Sequence, residues 1–277
     1  MTCSPEEQAQ RERFEAAYLK SQTPVMLRIE RSVCGCDFGG SSWTTEAEVR
    51  QIAKRLGLRP GLRLLDLGAG AGWPGLYLSE ITGCDLVLAD LPFAGIRIAK
   101  ERAAKESVSD RVRGAVADAA ALPFADASFD AINHSDLLCC LRDKRSVLAD
   151  CRRAIRQEGR MTFSVVSIAP DLSEDQYRRA LSAGPEFIET ERDYPGLLVE
   201  TGWTLVERED ATASYAEACR RQLDADREHE DDLVALIGRQ AFEERAADWR
   251  ADLAALGEGL LRHELFLATP ALRASQP

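Results

Sequence analysis

Short apolar runs alternate with amphipathic stretches along most of this chain, a pattern typical of parallel strands joined by helices. The clearest runs are residues 63–67 and 85–89, each of which has the length of a buried strand. Between them, residues 73–78 carry the apolar stripe of a helix, and a glycine-rich segment separates this helix from the first run. The pattern therefore predicts a β-α-β unit within residues 62–92, whose first turn can hold a ligand against the backbone.

The same alternation continues beyond this unit. It predicts five further strands, at residues 111–117, 127–134, 161–167, 203–208 and 265–268. It also predicts helices at residues 45–56, 91–105 and 145–157, the last of them stopped by Gly159. Thr45 and Glu48 have the spacing of a capping box at the start of the first of these helices.

Two helical regions lie outside this alternation. Residues 1–20 and 25–33 predict two short N-terminal helices, and we interpret residues 1–43 as a helical lid. Residues 211–262 are rich in Ala, Glu, Arg and Leu and contain no proline, which predicts two or three helices. We expect this insertion to cap a substrate pocket, with an oligomerisation element as the alternative. Residues 44–210 and 263–277 then form the sheet domain.

The glycine-rich segment suggests the chemistry of the site. Gly70–Gly75 is a literal G-x-G-x-x-G and Asp90 follows at the distance expected for a dinucleotide site. However, Pro74 removes an N–H that would bind pyrophosphate, and Asp66 would place a carboxylate beside that anion. When Gly68, Gly70 and Gly72 are taken as the set instead, Asp66 suits a cationic sulfonium cofactor.

At these residues the chain resembles the class I S-adenosylmethionine-dependent methyltransferases of the small-molecule type. Asp66–Gly72, which reads DLGAGAG, is similar to their first motif, and Asp90 resembles their ribose-binding acid. Residues 116–119 with 122–124 resemble the third signature, and residues 128–132 the fourth strand. The resemblance covers residues 43–210. It implies an α/β, Rossmann-like seven-stranded sheet, mostly parallel with an antiparallel last strand, with helices on both faces and a helical cap.

The resemblance also implies S-adenosylmethionine as cofactor and a set of binding residues. Asp90 would hold the ribose, Asp118 and Ala119 the adenine, and Asp66 with the glycine turn the methionine end. We expect Trp43 to cover the methionine part, with a place in the plain core as the alternative. The full expected cofactor-binding set is Trp43, Asp66, Gly68, Ala69, Gly70, Gly72, Asp90, Leu91, Asp118, Ala119 and Asn133.

The implied activity is in-line methyl transfer to O, N or C of a small molecule. A base is needed only where the acceptor must first lose a proton. His134, at the end of the fourth strand, is the first candidate, and packing or a hydrogen bond to the cofactor is its alternative role. Weaker candidates are Asp136, Glu30 and Tyr18, whereas His229 is expected to be solvated and His263 to lie at a strand edge. An NAD-dependent oxidoreductase and a non-catalytic cofactor-binding protein remain the alternative functions.

Composition and charge limit the kinds of binding partner and the cellular location that we expect for this protein. The formal net charge of −11 and the pI near 5.0 disfavour a nucleic-acid partner, because phosphate binding requires basic patches. The start of the chain lacks the apolar core of a signal peptide, and no apolar run has the length of a membrane span. Eight scattered cysteines indicate reduced thiols in the cytoplasm, and Cys34 and Cys36 complete no zinc spacing, so we expect no metal. A homodimer formed through the helical elements is compatible with the sequence.

Overall fold

The computed structural model describes residues 4–40, 43–106 and 108–272. Seven strands form one sheet in the order β3-β2-β1-β4-β5-β7-β6. In chain order the strands are β1 (Arg63–Leu67), β2 (Asp85–Asp90), β3 (Val112–Val116), β4 (Phe129–Ser135), β5 (Ile155–Ile168), β6 (Trp203–Asp210) and β7 (Leu261–Pro270).

Helices precede and connect these strands. In chain order they are α1 (Pro5–Ser21), α2 (Pro24–Cys34), α3 (Glu46–Leu56), α4 (Gly75–Thr82), α5 (Phe93–Lys105), α6 (Lys144–Ala154), α7 (Glu174–Ala183), α8 (Tyr194–Glu200), α9 (Thr212–Glu228), α10 (Glu230–Ile237) and α11 (Arg239–Gly257). A 3₁₀ turn at Leu138–Cys140 follows β4. None of the helices in the described part of the chain has both the length and the apolar character that crossing a bilayer requires.

The sheet confirms the expected fold class. Strands β1 to β5 pair in parallel, so their carboxyl ends lie along one edge. Strand β7 runs antiparallel to both β5 and β6. The expected pairing of the sixth and seventh strands is therefore present, although the helices α9 to α11 separate them in sequence.

Alternating side chains of the central strands build two apolar layers, one on each face of the sheet. Leu65, Ile132 and Phe163 belong to the first layer, whereas Leu64 and Ala131 belong to the second. On the second face, the polar side chains of Asp66 and Asn133 are both buried near the carboxyl edge. The same edge receives the glycine turn, which makes it the place to look for a site.

One helix boundary was predicted wrongly. The helix expected at residues 145–157 ends at Ala154, and β5 begins at once with Ile155, which pairs with Phe129. Gly159 therefore lies inside β5 rather than stopping the helix, and a Cβ there would come within 2.8 Å of the Asp130 carbonyl oxygen. Pairing of a buried, β-branched residue with a neighbouring strand overrides the local helical preference in this segment.

Candidate active site

The glycine turn joins β1 to α4 through backbone conformations that favour glycine. Gly68, Gly70 and Gly72 all have positive φ, of 69°, 49° and 102°. A Cβ on Gly70 would lie 3.2 Å from the ring of Tyr18 and 3.3 Å from the carbonyl oxygen of Gly40. The turn is therefore closely covered by α1 and by the loop that follows α2.

The carboxylate of Asp66 is hydrogen-bonded to the end of this turn. Its carboxylate accepts hydrogen bonds from the Gly75 N–H at 3.0 Å and from Asn133 Nδ2 at 2.8 Å, and the side chain is fully buried. Burial raises the pKa of Asp66 to about 7, although the bonds from Asn133 and Gly75 act in the opposite direction. Since Gly75 begins α4, the carboxylate occupies the helix N-terminus where a pyrophosphate would otherwise bind.

Asp90 ends β2 and faces the same turn. Its Oδ2 accepts from the Gly70 N–H at 2.6 Å and from the Tyr18 hydroxyl at 3.3 Å, while Oδ1 accepts from the Leu91 N–H at 2.7 Å. Burial raises the pKa of Asp90 to about 6, against the effect of these hydrogen bonds. Tyr18 was not in the expected cofactor set, yet α1 brings its hydroxyl to the one carboxylate expected to bind ribose.

The expected adenine end lies at the next strand. Asp118 follows β3 in an exposed turn, where its Oδ1 accepts from the Ala120 N–H at 2.9 Å, and Ala119 beside it is buried. The backbone N–H of Ala117 donates to the Asp90 carbonyl oxygen at 3.0 Å, which fixes this turn to the end of β2. Asp90 and Asp118 therefore lie on neighbouring strand ends, as the expected ribose and adenine positions require.

Trp43 packs against the helices that follow β6. Its ring makes edge contacts with Tyr215 on α9 and Trp249 on α11, at centroid distances of 6.1 and 4.9 Å. Helix α9 also packs against α2, so the N-terminal helices and the α9–α11 segment contact each other above the sheet. The structure thus places Trp43 in an aromatic cluster with this segment, and its proposed contact with the cofactor stays a prediction.

His134, the expected catalytic base, is fully buried. It lies on the opposite side of β4 from Asn133 and stacks on Phe163 with a centroid distance of 4.9 Å. Neither ring nitrogen has a hydrogen-bond partner in the described residues, and burial lowers the pKa of His134 to about 3. A ring enclosed among aromatic side chains on that face is poorly placed to take a proton from an acceptor, so the structure does not support the expected role.

A second histidine, His263, lies near the carboxyl edge of the sheet, where the sequence analysis expected His134 to act. His263 on β7 is buried, and its Nε2 lies 2.8 Å from Oδ1 of Asp136, which directly follows β4. Ser164 supports Asp136: its hydroxyl donates to the same Oδ1 at 3.0 Å, and its carbonyl oxygen accepts from the Asp136 N–H at 3.0 Å. Asp136 has φ of 52°, a left-handed conformation that aspartate tolerates better than most residues.

A small cavity of about 20 Å³ lies between α3 and the sheet, directly beside this pair. It has room for about one water molecule. His263, Asn133, Ser164 and Glu48 contribute to its polar lining. Asn133 lines this cavity and also donates a hydrogen bond to Asp66. This one side chain therefore links the glycine turn to the cavity beside the His263–Asp136 pair.

Three comparisons with known proteins agree with this geometry. Residues 65–163 match the family described as "Methyltransferase domain". The chain is 26% identical over 247 residues to phosphoethanolamine N-methyltransferase 1 of Zea mays, which covers 88% of this chain and 48% of the maize protein. It is 30% identical over 173 residues to methyltransferase GfsG of Streptomyces halstedii, which covers 60% of this chain and 62% of GfsG. The chain therefore spans only about half to three fifths of the length of these relatives.

A solved structure shares the fold. Haemonchus contortus phosphoethanolamine N-methyltransferase 2, in complex with phosphomonomethylethanolamine and S-adenosylhomocysteine, superimposes with a TM-score of 0.76 at 21% identity. The match covers 94% of this chain and 61% of that one. Residues 65–163 therefore match a methyltransferase domain, and the chain shares the fold of this solved structure.

The fold brings most of the predicted cofactor residues together at the carboxyl edge of β1, β2, β3 and β4. Their roles in cofactor binding are proposals. The residue that sequence reasoning missed is His263, which was expected at a strand edge. Its only signal in the sequence was a histidine at the start of the last strand, and its partner Asp136 lies 127 residues away.

Proposed function

We propose that this protein transfers the methyl group of S-adenosylmethionine to a small-molecule acceptor by in-line displacement. The observation that carries the proposal is the buried Asp90 carboxylate, held against the N–H of Gly70 at the end of β2. The sulfonium activates its own methyl carbon, so the protein mainly has to align the acceptor and exclude water. Relatives that are named methyltransferases support the same activity.

The proposed binding mode uses the backbone turn and three strand ends. Asp90 accepts from the ribose hydroxyls, and the Leu91 N–H lies beside it. Asp118 and Ala119 receive the adenine, while the turn of Gly68, Ala69, Gly70 and Gly72 lies against the methionine part. Asp66 and Asn133 support the turn from its buried side, where the two side chains are hydrogen-bonded to each other.

The helices α9 to α11 are proposed to cap the acceptor site. They pack against α2 and contact Trp43, which supports a position over the site together with the N-terminal helices. Residues 1–43 would accordingly act as a lid and residues 211–262 as a cap. A homodimer through these helices, the absence of a nucleic-acid partner and a cytoplasmic location stay predictions from the sequence.

The geometry disfavours NAD as the alternative cofactor. The first N–H of α4 already donates to Asp66, and Pro74 before it has no N–H to offer. A pyrophosphate at this turn would therefore meet a buried carboxyl group rather than free donors. A non-catalytic binding protein would share the cofactor turn, so only an assay of methyl transfer separates it from an enzyme.

Calorimetry with S-adenosylhomocysteine and with NAD tests the cofactor first. We expect S-adenosylhomocysteine to bind and NAD to give no heat of binding. A methyl-release assay with S-adenosylmethionine and a panel of metabolites then tests the reaction. Binding of NAD without binding of S-adenosylhomocysteine would refute the proposal.

A further inference from the structure

We propose that His263, oriented by Asp136, is the general base of the reaction and that the acceptor is an uncharged molecule that presents a hydroxyl group. The inference rests on the proposed function, because it assumes methyl transfer at this sheet edge. It adds the identity of the base and the chemical class of the acceptor.

The pair has the geometry that base catalysis requires. Asp136 accepts from one ring nitrogen of His263 at 2.8 Å, which fixes the tautomer and leaves Nδ1 as the atom that takes a proton. That Nδ1 is buried and has no hydrogen-bond partner among the described residues. A buried ring nitrogen without a partner is costly to keep unless another molecule supplies the hydrogen bond.

Packing holds the ring of His263 in place. Tyr215 of α9 stacks on it with a centroid distance of 4.6 Å and an interplanar angle of 24°. The backbone N–H of His263 donates to the Thr212 hydroxyl at 3.1 Å, so the start of the cap helix is tied to the same residue. The base is therefore built from β7, the loop after β4 and the first helix of the proposed cap.

The pair lies next to the proposed cofactor turn. Leu137, which directly follows Asp136, packs so close to Gly68 that a Cβ on that glycine would lie 2.8 Å from its Cδ1. Asn133 provides a second link, since it lines the cavity beside His263 and also bonds Asp66. A methyl donor on the turn and an acceptor beside His263 would thus be neighbours.

The cavity itself has room for only about one water molecule, but its lining shows which groups an acceptor would meet beside His263. Its polar groups are mostly neutral hydroxyls and an amide, contributed by Thr44, Ser135, Thr162, Ser164 and Asn133. Arg55, the one arginine that lines this cavity in the described structure, already pairs with Glu207 and Glu209. A phosphate or carboxylate on the acceptor would meet Glu48 in this lining and Asp136 beside His263 instead of a free cation, which favours an uncharged acceptor.

The step balances without a further reactant. The acceptor oxygen attacks the methyl carbon, the new O–C bond forms as the C–S bond breaks, and the sulfur takes the bonding electron pair to give neutral S-adenosylhomocysteine. The hydroxyl proton moves to Nδ1 of His263, and the resulting imidazolium is stabilised by Asp136. His263 then releases the proton to solvent when the product leaves.

Three carboxylates raise the pKa of His263, and one phenol group faces its ring. Burial disfavours the charged ring, but the carboxylates of Asp136, Glu48 and Glu264 outweigh it, so the pKa of His263 is raised. Tyr215, which faces the ring from α9, has its own pKa raised by burial and stays neutral. The rate should therefore fall with decreasing pH, with a midpoint above the ordinary histidine value of about 6.5.

The test begins with a methyl-transfer assay on the full chain. The probes are catechol, phenol, 4-nitrophenol and a hydroxylated macrolactone, with phosphoethanolamine and sarcosine as amine probes. We expect at least one hydroxyl probe to be methylated. Methylation of the amines alone, or of no probe by protein that binds S-adenosylhomocysteine, would overturn the proposal. Failure to bind S-adenosylhomocysteine would instead refute the proposed function itself.

His263→Gln and Asp136→Asn then test the base. We expect His263→Gln to lower kcat about a hundredfold, a typical loss for removal of a general base. We expect Asp136→Asn to move the acidic limb of the pH profile to lower pH. Both variants should bind S-adenosylhomocysteine within about twofold of the parent chain, which shows that they fold. His229→Gln is the matched histidine control and should retain full activity.

A base can be separated from a merely structural residue by the acidity of the acceptor. The loss caused by His263→Gln should be much smaller with 4-nitrophenol, which is largely ionised in mildly alkaline buffer, than with phenol. An equal loss on both probes, or a loss in His134→Phe without one in His263→Gln, would contradict the assignment. If neither phenol is turned over, the pH limb of the best hydroxyl probe decides in their place.

Discussion

The glycine turn and the His263–Asp136 pair lie at the same sheet edge but are assembled in different ways. The turn and its two carboxylates come from Asp66–Asp90, and its key contacts are hydrogen bonds to backbone N–H groups. The pair joins residues 127 positions apart, and the contact between them is made by two side chains. A site for a constant cofactor can thus be encoded in one continuous motif, whereas a site for a variable acceptor depends on where distant strands end.

The two regions also differ in what shifts their ionisation. Asp66 and Asp90 are buried with few opposing charges, so their pKa values rise to about 7 and about 6. Asp136 is equally buried, but the attraction of His263 lowers its pKa despite the desolvation that acts against it. The two carboxyl groups at the glycine turn are therefore easier to protonate than an ordinary aspartate, whereas the contact with His263 favours the ionised form of Asp136.

The largest expected effect comes from filling the glycine turn. Gly70→Val adds a Cβ beside Tyr18 and Gly40 at a position with φ of 49°. Left-handed strain and overpacking together should weaken S-adenosylhomocysteine binding about a hundredfold, as measured by calorimetry. Gly61→Val is the matched control, because Gly61 has φ of 85° but nothing within 4 Å of its Cβ position. That variant should lose only stability; an equal loss of binding in both variants would contradict the role of the turn.

Asp90→Ala should weaken S-adenosylhomocysteine binding at least about tenfold, because charge-assisted hydrogen bonds of roughly 1.5–3 kcal/mol are lost. Asp85→Ala, at the exposed start of the same strand, should leave the affinity unchanged. Combining Asp90→Ala with His263→Gln should multiply the two losses in kcat/KM, since the residues have no shared partner. Unchanged affinity in Asp90→Ala would show that the ribose is held elsewhere.

The next expected effect is a pH dependence of folding stability that arises from Asp66 at the glycine turn. An unfolded aspartate has a pKa near 3.9, whereas that of folded Asp66 is about 7. The folded state therefore binds the extra proton between these values, so this contribution to stability is present at low pH and is lost as the pH rises towards 7. Urea midpoints at about pH 5 and about pH 8 should differ less in Asp66→Asn than in the parent chain. Identical midpoint differences would show that Asp66 is not protonated in the folded state.

The smallest effect is expected for Tyr18→Phe. Its hydroxyl donates to Asp90 across 3.3 Å, which is a long hydrogen bond. A bound ribose would replace that donor, so removal of the hydroxyl should change S-adenosylhomocysteine affinity by less than about threefold in calorimetry. A larger loss would mean that Tyr18 contacts the cofactor itself.

Much of the fold could be predicted because its signals are local. The strands β1 and β2, the turn between them and the capping box of α3 all follow from neighbouring residues. The prediction failed where a tertiary contact competed with a local preference. Ile155 was placed in a helix, but its pairing with Phe129 makes it the first residue of β5. Sequence periodicity cannot reveal that choice, because the partner strand lies elsewhere in the chain.

The sequence by itself determined the cofactor half of the candidate site. Its glycines, Asp66 and Asp90 belong to one β-α-β unit, so the chain geometry of that unit alone brings them together. Only the tertiary structure decided the other half. In the folded protein the ring of His134 packs against aromatic side chains. Strand β7 pairs antiparallel with β5, and this pairing places His263 beside Asp136. The physical reason is that alternation along a strand assigns neighbouring residues to opposite faces, and only the packed sheet shows which face meets the site.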